Sequence, residues 1–132
     1  MNRLQDSIRK YRLLEDDDSR TEMYNALLQA DFYVPLKEDT SNNTQQKASF
    51  YVLKNSLGQR YLLAFSDQDP LRSYFSSSVS YATFSFVQIL TLLKREEDLS
   101  GVLLDPQEGN MVFEKDLFEV LDEINSENPS YS

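Results

Sequence analysis

The chain has 132 residues, 13 basic against 22 acidic side chains, a formal charge of −9, and neither cysteine nor histidine. That length suits one domain burying about two thirds of its unfolded surface, while the missing Cys excludes a disulfide framework, a thiolate metal site and a cysteine nucleophile. The acidic balance repels a phosphate backbone, so nucleic acid is not an expected ligand; with no apolar run of membrane-spanning length and no signal-peptide block, a cytoplasmic protein without membrane insertion is expected.

Charge is unevenly spread. Arg3, Arg9, Lys10 and Arg12 against Asp6 give the first 14 residues a surplus of +3 and leave −12 for the rest. A basic protein partner is the simplest electrostatic implication, and solubility of a small acidic domain is the bland alternative.

Leu4, Ile8 and Tyr11 recur at helical spacing, so an amphipathic helix is predicted over 1–15, packed on its own domain because its apolar stripe lacks the Trp or Phe of a membrane-surface helix. Glu15, Asp16, Asp17 and Asp18 interrupt it. Ser19 and Glu22 form a predicted capping box for a second helix over 19–30, with Met23, Ala26, Leu27 and Ala30 as its buried stripe.

Phe32 to Leu36 reads as a strand, and Pro35, which has no N–H to give a ladder, puts it at an edge or ends it. The polar run Lys37 to Lys47 reads as a mobile loop. Phe50 to Lys54 and Tyr61 to Phe65 then flank Asn55, Ser56 and Gly58 as a predicted hairpin. Beyond it, Leu71, Tyr74 and Phe75 predict a short helix begun by Pro70 with Asp69 as its N-cap.

Ser66, Asp67 and Asp69, in the corner "FSDQDP", could hold a nucleophile with its carboxylate or simply stop a strand and start a helix. A catalytic serine needs a base, and without His or a Ser-Lys spacing of known type the capping reading is preferred. A further strand is predicted from about Val79 to Thr83. Ser85 with Gln88 forms a second capping box for a helix through Phe86, Ile89, Leu90 and Leu93 to Arg95. Val102 to Leu104 and Met111 to Phe113 form another hairpin around Asp105, Pro106 and Gly109. Leu117, Val120, Leu121 and Ile124 mark the apolar face of a terminal helix.

The expected domain therefore spans 1–125, with N-terminal helices over 1–15 and 19–30, a sheet with two intervening helices over 31–113, and a terminal helix over 114–125; a flexible tail occupies 126–132. The fold class is α+β, a mixed sheet of five or six strands with helices packed on it.

The succession "ALLQADFYVPL", "LLAFSDQDPL", "FSFVQILTLL" and "GVLLDPQEG" before a terminal helix resembles the SseB N-terminal domain family of bacterial proteins, named after an enhanced-serine-sensitivity protein. The likeness runs from about Leu4 to Ile124, which makes the chain a stand-alone domain of that kind. Phe65, Ser66 and Asp67 match the family's apolar strand ending in Phe, Ser or Thr, and an acidic residue. Gly101 to Pro106 matches its glycine-apolar run ending in Asn-Pro, except that Asp105 stands where Asn is usual. Asp preserves the turn before Pro but offers no amide donor.

The resemblance implies a cytoplasmic α+β domain of poorly defined role that acts by binding, and it carries over no catalytic residue. No cofactor or metal ligand is assigned. A non-enzymatic protein-interaction domain is the leading expectation, with Phe65, Asp67, Asp105 and Pro106 converging on one partner-binding rim if their two strands end at the same edge. A narrower version is a secretion chaperone or immunity protein masking a basic partner; homodimerisation is left open. An alternative of another class is a carboxylate-only, metal-dependent hydrolase using Glu15, Asp16, Asp17 and Asp18, although three adjacent Asp residues cannot all face one ion on a regular element.

Overall fold

A computed structural model describes residues 3–37, 49–75, 79–107 and 111–127. Of the predicted polar loop over 37–47 only Lys37 is described; Gly109 of the predicted turn and residues 128–132 of the tail predicted over 126–132 also lie outside the described residues, while 126 and 127 belong to the terminal helix. In chain order the elements are α1 (Arg3–Leu14), α2 (Asp17–Gln29), β1 (Asp31–Lys37), β2 (Ser49–Phe50), β3 (Val52–Lys54), β4 (Arg60–Ala64), α3 (Gln68–Tyr74), β5 (Ser80–Ser85), α4 (Phe86–Arg95), β6 (Leu99–Leu104), β7 (Met111–Glu114) and α5 (Lys115–Glu127). The order of helices and strands is the one the sequence predicts, and the class is α+β. Taking β2 and β3 as one strand bent at Tyr51 leaves six strands.

The strands lie in two sheets, ordered β2-β1-β5 and β3-β4-β6-β7. Two features join them. Tyr33 in β1 and Phe65 at the end of β4 exchange backbone hydrogen bonds of 2.8 Å in each direction, and Leu63 N–H donates to the Tyr51 carbonyl at 3.0 Å, where β2 passes into β3. Successive strand residues face opposite sides, so β1 and β4 each serve two cores. Phe32, Val34, Leu62 and Ala64 join α1, α2, α4 and α5 in the larger core, whereas Leu63, Phe65 and Leu71 form a smaller one with Tyr33, Tyr51, Tyr74, Phe75 and Tyr81 packed around it.

β4 and β6 run parallel. Parallel neighbours need a long crossover, supplied here by α3, β5 and α4. That pairing was not read from the sequence, which shows only the local hairpin of β6 with β7. Gly101 in β6 pairs with Tyr61 and Glu114, and a Cβ there would come within 2.2 Å of the Phe113 carbonyl oxygen. Across that glycine the Tyr61 hydroxyl donates to Glu114 Oε1 at 3.0 Å.

Four local expectations need correction. The second helix begins at Asp17, because Asp16 is its N-cap and accepts the Ser19 N–H at 2.8 Å. Ser19 is instead a buried first-turn residue whose hydroxyl donates to the Asp16 carbonyl. The third helix begins at Gln68 with Asp67 as its N-cap, so Asp69 and Pro70 fall inside its first turn. Proline is tolerated there because first-turn N–H groups have no partner within the helix.

Pro35 does not put β1 at an edge, since β1 lies between β2 and β5. N–H groups alternate sides along an antiparallel strand. Tyr33 spends its N–H on Phe65, so Pro35, two residues on, faces the gap between that bridge and the pairing with β2 that starts at Leu36. The missing donor falls where no ladder partner stands.

Half of the stripe assigned to the terminal helix holds, since Leu121 is buried and Leu117 packs on the core, but the stripe runs through Phe118 instead of Val120 and Ile124. Phe118 is fully buried and stacks on Phe86, with centroids 4.9 Å apart and planes 9° apart, whereas Val120 and Ile124 are half exposed. Alternative stripes one residue apart are equally periodic, and the ring that fills the space above Phe86 decides between them. Phe118→Ala is accordingly expected to cost about 3–5 kcal/mol in denaturant unfolding, and Val120→Ala no more than about 0.5 kcal/mol; the reverse ranking would contradict this packing.

Candidate functional site

Because β4 and β6 are parallel neighbours, their carboxyl ends reach the same edge, and the two polar corners of the sequence meet there. Asp105 N–H extends the ladder by one bond, donating to the Ala64 carbonyl at 3.1 Å. The chain then turns, with Asp105 at φ +48°. Asp and Asn tolerate this left-handed conformation better than other side-chain-bearing residues, which gives a backbone reason for their occurrence before Pro106.

The turn aims the Asp105 carboxylate back at β4. Oδ1 accepts the Ser66 N–H at 2.9 Å, and Oδ2 accepts the Ser66 hydroxyl at 2.5 Å. Gln5 of α1 donates from Nε2 to Ser66 Oγ at 2.9 Å. Ser66 is 2% exposed and Asp105 7%. A buried carboxylate is tolerable only when well hydrogen-bonded, and the two bonds from Ser66 provide this while clamping the strand ends. Gln5 extends the clamp to the first helix.

Asp67 follows at φ −158° and accepts the Gln68 N–H at 2.7 Å, starting α3. The anticipated convergence of the two corners at one edge is therefore present. Its members are not equally accessible: Phe65 is fully buried against the rings of Tyr74 and Phe75, and Asp105 lies almost wholly beneath the surface. Phe65 cannot serve as a direct contact. Asp67 and Pro106 are half-buried and reach the surface.

Beside this edge, a cavity of about 300 Å³ opens between the helical hairpin and the seam where β1 meets β4. Leu4, Ala26 and Ala30 form its apolar part; Asp31, Tyr33, Ser66 and Asp67 line it from the strands, and Arg3 and Gln29 from the helices. The Arg3 guanidinium donates to the Gln29 side-chain oxygen. Burial raises the Tyr33 phenol above its usual pKa, and the negative charges of Asp67 and Asp31 raise it further. The charges of Asp67 and Asp31 thus reach the phenol, behind the larger effect of burial.

Asp31, Tyr33 and Gln5 were not singled out in the sequence. Gln5 and Ser66 are 61 positions apart, and no local pattern records such a contact. Asp31 looks like any polar residue at a strand start until β4 arrives beside it.

The acidic run between the first helices has local employment. Asp16 caps α2, and hydrogen bonds from Ser19 hold its carboxyl below the usual carboxylate range. Asp17 pairs with Arg20 at 3.0 Å. Among the described residues, no three acidic side chains are grouped as metal ligands, and no helix is long and apolar enough to cross a membrane.

The model of the family described as SseB protein N-terminal domain matches residues 4–119. No curated protein and no solved structure matches the chain. Both polar corners fall inside the matched region.

The raised Tyr33 pKa has a defined sign. Below the ordinary tyrosine pKa of 10.0 the phenol is protonated whether the chain is folded or not. As pH climbs from that value through the higher folded one, the unfolded chain releases its proton first and folded stability declines. In an alkaline phenolate titration, Tyr33→Phe is expected to remove a component lying above the ordinary range. Loss of a component at the ordinary value would contradict the burial and neighbouring charge that raise it.

Proposed function

This chain belongs to the SseB N-terminal domain family, and from that membership and the build of its polar edge we propose that it is a non-enzymatic protein-interaction domain of the bacterial cytoplasm. Its contact surface is the edge where β4 and β6 end, with the half-buried Asp67 and Pro106 reaching the surface over the buried support of Phe65 and Asp105.

The observation that carries this reading is the burial of Ser66. A serine nucleophile has to meet an electrophile, yet this one is 2% exposed, donates its hydroxyl hydrogen bond to Asp105 and accepts one from Gln5. The same carboxylate that would serve as its base holds the backbone N–H of Ser66 as well. That is the use of a serine and an aspartate as a brace. The sequence contributes the remaining support, since a chain without His or Cys has few groups that titrate near neutrality.

The formal charge of −9 favours a basic partner, because complementary potential steers encounter and discriminates between partners. A chaperone or immunity protein that masks a basic segment is a narrower form of the same reading.

Crosslinking in the native cell, followed by identification of the captured protein, tests it. Reversing charge with Asp67→Lys is expected to lower recovery of one specific protein by roughly tenfold, the scale of a close charged contact, while Val120→Ala on the far helix leaves it unchanged. Equal recovery with Asp67→Lys overturns the reading, and so does turnover of a metabolite by the purified protein that Ser66→Ala abolishes.

A further inference from the structure

The geometry points to the free edge of β5 as the seam of a homodimer, closed by antiparallel pairing with β5 of a second copy about a two-fold axis at Ala82. This goes beyond the partner contact proposed above, which lies where β4 and β6 end.

The direction of the backbone groups in β5 follows from β1. Tyr33 exchanges N–H and C=O bonds with Phe65, so its groups face β4, and those of Phe32, Val34 and Leu36 face β5. Their registered partners Phe84, Ala82 and Ser80 therefore bond back to β1, which turns the N–H and C=O groups of Tyr81 and Thr83 to the other side. β5 ends its sheet there. Among the described residues, no backbone group takes up those of Tyr81 and Thr83.

A strand left at a sheet edge is ordinarily guarded by short length, a charge, a proline or a bulge. β2 has two residues, and the three of β3 and four of β7 include Lys54 and Glu114. β5 has no such guard. Its six residues, Ser80–Ser85, are uncharged and pair with β1 without a register shift. They lie in a run from Ser73 to Leu93 that holds no Asp, Glu, Lys or Arg, although 27% of the chain is charged.

The occupant that fits this edge is the chain itself. A basic partner would find no carboxylate along β5, whereas two copies of formal charge −9 repel least where both are uncharged. A two-fold interface must also be complementary to itself. Setting Ala82 opposite Ala82 puts Tyr81 of each copy opposite Thr83 of the other, and each such pair exchanges its N–H and C=O bonds. The alanines then form the close, non-hydrogen-bonded pair at the axis, where a small side chain fits.

Sedimentation equilibrium from micromolar to millimolar concentration tests the proposal. A weak monomer–dimer equilibrium is expected, tightened by added salt as the repulsion between copies is screened. Thr83→Pro removes an outward N–H and spares the ladder with β1, so it is expected to weaken the dimer by about tenfold or more. If that variant fails to fold, Thr83→Glu carries the test, because Thr83 is exposed and a charge on an edge strand opposes strand addition. Since the chain has no cysteine, single introduced ones report the register. Ala82→Cys is expected to form a disulfide between copies faster than Thr83→Cys, the Cα atoms at the axis being about 4.5 Å apart and those of diagonal neighbours about 7–8 Å, past disulfide reach.

A monomer at every concentration would overturn the seam, as would a dimer that the Thr83 variants leave unchanged, a dimer that salt disperses, or faster crosslinking through Thr83→Cys. A monomer that captures an extended segment of another protein in a Thr83-dependent way would assign the edge to a foreign strand and overturn the homodimer too. The Asp67 contact is read by its own crosslinking experiment and does not depend on this result.

Discussion

The bonds from Ser66 to Asp105 set the arrangement of this protein's polar edge. They join the ends of two parallel strands that lie 39 positions apart in the chain. The crossover between those strands contains α3, β5 and α4, so the register of β4 on β6 also fixes where those elements begin and return. Asp105 sits in a left-handed turn that points its carboxylate inward, and Gln5 adds the first helix to the same junction. Loosening this junction would free the β4–α3 corner, and with it the position of Asp67 beside Tyr33.

The same junction accounts for the separation between support and surface. Phe65 and Asp105 are buried, whereas Asp67, Pro106 and Asp31 face outward or into the adjoining cavity. Hydrogen bonding inside the edge satisfies the buried groups. Ser66 is held inside that edge, 2% exposed, by Asp105 and Gln5.

What the sequence made legible was local. The hairpin turn was readable because Asn55 accepts the N–H groups of Leu57 and Gln59 from its own side chain, and the start of α4 because Ser85 and Gln88 cap each other across one turn. The family landmarks were legible for the same reason, being short runs around strand ends. Caps were misread where several candidates adjoined: Asp16 prevailed over Ser19, and Asp67 over Asp69, by positions that periodicity does not resolve. Phe118 was missed because its burial depends on Phe86 in another helix. The parallel pairing, the central place of β1 and the cavity all depend on segments distant in sequence, and no spacing rule contains them. The convergence of the two corners was deducible only conditionally, and the parallel register supplied the condition.

A double-mutant cycle on folding stability with Ser66→Ala, Asp105→Ala and the pair tests the central claim most directly. If the serine and the aspartate brace the two strands, the single changes are strongly coupled, with an interaction energy of about 1.5–3 kcal/mol, the range for hydrogen bonds to a charged group. Additive effects, agreeing within about 0.5 kcal/mol, would contradict it, because two residues that do not stabilise each other cannot be what holds the strand ends together.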